Sequence, residues 1–335
     1  MPAALWPSLK EQLRLTSRSF YLTLRVLPAS VRAQIGLAYL LARTTDTIAD
    51  TELVSLDRRL AALRELRERM LGRSAGRLDF GELARQQGSP GERVLLEQVE
   101  SSLDLMEQLS VADLRLVRAV LDTITSGQEL DLQRFGQACA ANPAMLQTEG
   151  ELDDYTYRVA GCVGEFWTKI CRANAFPNAS LDEAQLLADG IRFGKGLQLV
   201  NILRDLPGDL RKGRCYLPAP QLAAAGLTPR DLLEAGAEKK LRPVFDPYLT
   251  RAAEHLAAGW HYTNTLPWRC ARLRLACAWP VLIGVRTLAR LRIENPLDAA
   301  RPVKVTRAEV RGILWRTVLL YPLPGLWKLQ APTPA

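Results

Sequence analysis

Histidine is scarce in this chain: His255 and His261 are the only two among 335 residues. Six positions apart on a helix, they face different ways, which argues against a zinc centre. The six cysteines, at 139, 162, 171, 215, 270 and 277, include no CxxC pair. That usage fits a reducing, cytoplasmic setting with free thiols. The amino end, MPAALWPSLKEQLRL, lacks a basic stretch followed by an apolar run, so no secretory signal is expected. No stretch near the carboxyl end reaches the ~20 apolar residues of a spanning helix. The longest uncharged run there, TVLLYPLPGLW at 317–327, contains two prolines. There is no GxGxxG after a strand and no short-period repeat. Val, Ile and Thr never gather into the alternating runs that mark strands.

What the chain has is helical periodicity. Apolar residues recur at three and four over roughly 8–24, 31–50, 55–71, 91–109, 111–135, 151–174, 181–206, 246–264, 270–292 and 306–318. With 48% hydrophobic residues and no long linker, this predicts an all-α fold, one large helical domain over 1–335. The net charge of +8 permits anionic partners: phosphorylated substrates, a lipid surface or nucleic acid. No nucleic-acid motif accompanies it, and the charged stretch RRLAALRELRERM mixes acids with bases like a solvated helix face.

Two stretches break the apolar pattern. Tyr39, Arg43, Asp46 and Asp50 fall within about 60° of one another on a helix. Gln198, Asn201, Asp205 and Asp209 form a second stripe, about 80° wide if the helix runs straight, with Arg204 beside it. Like charges at i,i+4 cost an isolated helix about 0.2–0.5 kcal/mol each, so a paired acidic stripe asks for a cation. Carboxylates and an amide are hard oxygen donors suited to Mg²⁺, whose shell is completed by waters and substrate phosphates. Pro207 and Gly208 lie between the second pair of aspartates. Proline clashes with the preceding turn, so the helix is expected to kink or end near 206, which leaves the aim of Asp209 open.

In order along the chain, TSRSFYLTLRVLP (16–28), YLLARTTDTIAD (39–50), YTYRVAGCVG (155–164), GKGLQLVNILRDLPGD (194–209) and GRCYLP (213–218) resemble the squalene and phytoene synthases, the head-to-head trans-prenyltransferases. The resemblance spans about 15–315. It implies an isoprenoid-synthase-type helical bundle around a central apolar cavity. It implies that Asp46, Asp50, Asn201, Asp205 and Asp209 hold Mg²⁺, and that Ser17, Arg18 and Phe20 lie near the diphosphate and a flap. Arg43, Arg204 and Arg214 would support the diphosphate, Tyr155 would serve the carbocation chemistry, and Gln198 would stand beside the pocket. Gly161 and Gly164 would let the chain pass close to a substrate. Tyr39, Tyr157, Phe166 and Trp167, with Phe20 and Tyr155, are candidates to line the cavity or simply to pack in the core. Relatives carry an acid directly before the last aspartate; here that place is Gly208.

Within the family the segments DTIAD, YTYRVAGCVG and CAWPVLIGVRTLARLR…RPVKVTRAEV look more like squalene synthases. This implies farnesyl diphosphate as substrate, condensation to presqualene diphosphate, and reduction with NADPH to squalene. Lys304 and Arg307, with Ser17 and Asn201, would meet the nicotinamide cofactor. The alternatives are a phytoene or dehydrosqualene synthase without the reduction, and a non-catalytic relative that binds or assembles. The tail at 311–328 sets Leu319, Leu320, Leu323, Leu326 and Trp327 among Arg311, Arg316 and Lys328. It either contacts the cytoplasmic face of a membrane peripherally or folds onto the core.

Overall fold

The computed structural model describes residues 2–16 and 20–330, apart from the side chains of Pro2, Ala3, Ala4, Phe20 and Leu22. Sixteen α-helices follow in order among the described residues: α1 (Pro2–Thr16), α2 (Phe20–Val26), α3 (Ala29–Asp50), α4 (Leu56–Met70), α5 (Gly81–Arg85), α6 (Pro90–Glu97), α7 (Val99–Met106), α8 (Val111–Phe135), α9 (Glu149–Thr156), α10 (Cys162–Asn174), α11 (Glu183–Arg211), α12 (Ala219–Ala224), α13 (Glu238–Thr265), α14 (Ala271–Ile293), α15 (Arg307–Leu320) and α16 (Pro324–Lys328). A π-helical turn, Tyr157–Gly161, joins α9 to α10. The only strands among the described residues are β1 (Ala144–Met145) and β2 (Arg214–Cys215), paired in parallel with Ala144 opposite Arg214. The chain is therefore all-α, as the periodicity predicts.

The chain divides into two compact units. The first comprises 1–136 with 166–179, the second 137–165 with 180–335. In the first, α3 is buried along most of its length. The buried hydroxyls of its Thr44 and Thr47, and of Thr51 just past its end, donate to carbonyls one turn back, so apolar surroundings leave none of the three unsatisfied. Buried Asp113 on α8 accepts from Gln34 of α3 (3.2 Å) and Asn174 of α10 (3.0 Å). That carboxylate joins three helices far apart in the chain, and it draws the second half of α10 into this unit. Ser110 caps α8 by accepting from the Asp113 amide.

In the second unit α11, α13 and α14 form the core, and small residues set their spacing. A Cβ at Gly164 would stand 1.9 Å from the Gly190 carbonyl oxygen, and one at Gly194 would stand 2.1 Å from that of Ala160. The start of α10 and the π-turn thus lie backbone to backbone on α11. Gly161 and Gly164, expected to let the chain pass close to a substrate, both lie against α11.

The helix boundaries differ from expectation where proline is concerned. α11 does not end near 206; it runs through Pro207 and Gly208 to Arg211. Leu206, Pro207 and Leu210 are all buried. Burial of that turn against the core offsets the ~3 kcal/mol a mid-helix proline costs. α13 starts at Glu238, eight residues before the expected 246, and passes through Pro243 and Pro247. Both prolines are exposed, and so are Lys239 and Pro243, the residues whose carbonyls they leave without an amide donor.

Candidate active site

The first acidic stripe belongs to the first unit. Arg43, Asp46 and Asp50 follow one another down the last turns of α3, with half-buried Tyr39 one turn above. Arg43 is held chiefly by Glu92 of α6, at 2.5 Å, and lies 3.8 Å from Asp46. Asp46 accepts from the amide of Gln128 on α8. Its side chain is 48% exposed, yet enough protein surrounds it that burial is the main influence on its proton. Desolvation first, and the charge of Asp50 second, push the Asp46 carboxyl up to about 6, against smaller opposing effects of Arg43 and Gln128. A carboxylate so destabilised is one that a cation would relieve.

The second stripe belongs to the second unit. Because α11 is continuous, Asp205 and Asp209 lie one turn apart on one face, which answers the question raised by Pro207. Arg204 grips Asp205 with two bonds, 2.8 Å from Nε and 2.5 Å from Nη2. Asn201 donates to Gln198 at 3.4 Å one turn above. After α11, Gly213 takes φ +78°, and a Cβ there would stand 2.4 Å from the Cys139 backbone. Only glycine fits that turn, which sends the chain into β2 and places Arg214 and Tyr216 directly after Asp209 in the unit.

Tyr155 sits near the end of α9, just before the π-turn. Its ring stacks on that of buried Tyr216, with centroids 4.7 Å apart and planes 23° apart. Single π-turns of this kind recur at functional sites, where the extra residue re-aims the side chains beside it. The turn is braced by Tyr157, which donates to Glu165 at 2.8 Å; burial, then Glu165, pushes its hydroxyl up to about 12.

The remaining predicted residues divide. Ser17 and Arg18 lie outside the described residues, as does the Phe20 side chain. Phe166 is buried core, and Trp167 is half-buried with its indole N–H lacking an acceptor. Lys304 is exposed in the loop before α15, and Arg307 is the exposed first residue of that helix. That helix start is already closed by a Thr306–Glu309 capping box. Two recesses of the second unit, of about 280 and 570 Å³, are lined by no predicted site residue. Sequence reasoning missed Glu92, Gln128 and Tyr216. Only Tyr216 left a signal, inside the segment GRCYLP.

Within each unit the donors are of the hard-oxygen kind that Mg²⁺ takes. Each unit offers two carboxylates one turn apart, Asp46 with Asp50 and Asp205 with Asp209, and the second adds the amide of Asn201. Among the described residues no three His, Cys, Asp or Glu side chains converge as a ready-made cage. Mg²⁺ commonly takes one or two carboxylates and leaves the rest of its shell to water and phosphate. Of the residues expected to meet NADPH, Lys304 and Arg307 are exposed cations of the kind that meets phosphate, Asn201 lies on the second stripe, and Ser17 lies outside the described residues.

Comparison with known proteins adds an independent line. The squalene/phytoene synthase family model matches residues 13–309. The chain is 30% identical over 299 residues to a presqualene diphosphate synthase of Rhodopseudomonas palustris, covering 88% of this chain and 91% of that one. It is 31% identical over 306 residues to one of Sinorhizobium fredii, covering 90% and 93%. Among solved structures, ligand-bound TcSQS superposes with a TM-score of 0.78 at 19% identity, over 98% of this chain and 91% of the other. At that identity the likeness establishes the all-α fold.

Proposed function

The chain belongs to the squalene/phytoene synthase family, and from that premise we propose that it joins two farnesyl diphosphates head to head into presqualene diphosphate. The observation that carries this reading is the retention of both acidic stripes, each along one helix, inside a family match that spans 13–309. In the reaction one allylic diphosphate departs as pyrophosphate. The allylic cation left behind bonds to the double bond of the second farnesyl chain, and a proton is lost as the cyclopropane closes. Bound Mg²⁺ ions would neutralise diphosphate charge; Asp46 and Asp50 in the first unit, and Asn201, Asp205 and Asp209 in the second, would each hold such ions.

The chain's own residues supply the rest. Arg43, Arg204 and Arg214 are the positive charges that stabilise the departing diphosphate. Arg43 and Arg204 are each already oriented by a carboxylate, Glu92 and Asp205 respectively. The stacked Tyr155–Tyr216 pair offers an aromatic face to a cation, held by packing rather than free to collapse onto it. Gln198 and Asn201, bonded to one another, present amides on the same stripe.

A second reading adds the reduction of presqualene diphosphate to squalene with NADPH. It is favoured by the exposed Lys304 and Arg307 alone. The family description also spans phytoene synthases, which join the longer geranylgeranyl chains. The test is the purified protein with Mg²⁺ and either farnesyl or geranylgeranyl diphosphate, with and without NADPH, followed by product analysis. Presqualene diphosphate without NADPH supports the first reading, and squalene appearing only with NADPH adds the second. Phytoene from geranylgeranyl diphosphate, with farnesyl diphosphate untouched, refutes both. A large hydrocarbon-bearing product partitions into bilayers, so the proposal extends to peripheral association with the cytoplasmic face of a membrane. No helix among the described residues is long and apolar enough to cross one.

A further inference from the structure

The last two helices of the second unit are fastened on one side and bare on the other. Trp327 of α16 is fully buried, stacked on Trp260 at 5.4 Å and edge-on to Tyr321 at 5.0 Å. Beside it lies Arg274, a buried arginine with no carboxylate partner among the described residues. Its guanidinium sits over the rings of Trp268 (4.6 Å), Trp327 (5.6 Å) and Tyr321 (6.0 Å). It also donates to the Leu266 carbonyl at 2.9 Å and to Asn264 Oδ1 at 2.7 Å. Asn264 Oδ1 accepts from the Trp327 indole as well, at 2.8 Å. α15 is tied down separately by Trp279, whose indole donates to buried Thr317 at 2.9 Å. The cation–π and hydrogen-bonding contacts around Arg274 form a latch, not a frayed end.

Opposite this latch the same two helices, with the residues that flank α16, expose apolar side chains. Trp315 is 68% exposed, Leu319 67% and Leu329 76%; Val318, Leu323 and Leu326 are exposed too. Trp315, Val318 and Leu319 share an arc of about 100° on α15, and Leu323, Leu326 and Leu329 recur every third residue. From 310 to 330 the bases are Arg311, Arg316 and Lys328, and there is no acid. An apolar face set among bases that have no carboxylate partner among the described residues is complementary to an anionic lipid surface. It is poorly suited to pairing with its own copy, which would bring like charges together across a two-fold axis.

We infer that this face is the membrane-docking surface. The helices lie in the plane of the interface, with the apolar side chains at the acyl boundary, the Trp315 indole at headgroup depth, and the bases against lipid phosphates. The inference rests on the peripheral association proposed above and assigns it to a face. The latch then has a purpose: it keeps Trp327 in the protein and commits the neighbouring leucines to the lipid.

Flotation of the full chain with phosphatidylcholine vesicles, with and without phosphatidylglycerol, tests it. The unsubstituted protein is expected to bind more tightly as phosphatidylglycerol is added and to be released by salt. The triple variant W315S/L319S/L323S should lose roughly tenfold or more in partitioning. Because the three side chains are exposed, its circular dichroism and melting temperature should stay unchanged. R311Q/R316Q/K328Q should bind the two vesicle types alike. If the unsubstituted protein floats with neither vesicle, peripheral association itself is refuted, and this face with it. If it floats and the triple serine variant floats equally well, association stands and the assignment to this face is overturned. A chain that sediments as a dimer, with the serine variant a monomer, would show a self-association face and would also overturn it.

Discussion

Gly194 and Gly208 lie on the same helix, so replacing each with alanine poses one chemical change in two surroundings. Alanine is the better helix former by about 0.8–1 kcal/mol. At Gly208 nothing lies within 4 Å of the new methyl, so that gain should appear largely undiminished. At Gly194 the methyl would lie 2.1 Å from the Ala160 carbonyl oxygen and 2.7 Å from its carbon. Those are backbone atoms of the π-turn, and no rotamer change can move them. Overpacking of this kind costs about 1–3 kcal/mol, and a backbone-to-backbone clash belongs at the upper end. The expected net effect is a loss of about 1–2 kcal/mol for Gly194→Ala and a gain of about 0.5–1 kcal/mol for Gly208→Ala. For a unit of this size each kcal/mol moves the melting temperature by about 2–4 °C. Thermal unfolding of the metal-free protein should therefore place the two variants on opposite sides of the parent. Gly194→Ala melting at or above the parent would refute the close packing of α11 on the π-turn. The clash should also reach the site, since Gln198 and Asn201 lie one and two turns further along α11. Turnover should fall even where the variant is folded.

Two further outcomes concern the first stripe. The Asp46 carboxyl, raised to about 6 from its ordinary 3.8, favours the folded state fully at pH below about 4, and this contribution is lost as pH rises through about 6. Asp46→Asn should accordingly raise the melting temperature of the metal-free protein at pH 7.5 relative to the parent and forfeit that advantage near pH 4; parallel pH curves for the two proteins would contradict the assignment. Stabilisation of the parent by Mg²⁺ should likewise grow between pH 5 and pH 7.5, as the competing proton leaves. Glu92→Gln weakens the main anchor of Arg43 and leaves it to pair with Asp46, so the acid limb of the kcat/KM pH profile should move to lower pH. An unmoved limb would mean that Glu92 does not restrain that arginine.

Much of the helical framework is legible in local pattern. α8 spans the range its periodicity predicts, and its Ser110 cap stands where a cap belongs. α3 ends at Asp50 as expected. The side chains of each acidic stripe share a face because i,i+4 spacing on a continuous helix leaves no other arrangement. Local rules misplace α11 and α13, where proline is the strongest signal in the window but burial or solvent exposure outweighs it. Glu92 and Gln128 are invisible to such rules because they reach Arg43 and Asp46 across 49 and 82 residues of chain.

The sequence by itself determined which chemical groups line each helix face, and its ordered segments marked the family. Periodicity is a property of neighbours in the chain, and a single helix is enough to express it. The tertiary structure decided that Asp46 holds its proton more tightly than an ordinary aspartate, that Arg43 leans on Glu92, and that Trp327 is buried while Leu326 and Leu329 beside it are exposed. Those are consequences of desolvation, charge and packing contributed by residues distant in the chain, and they take values only once the helices have come together.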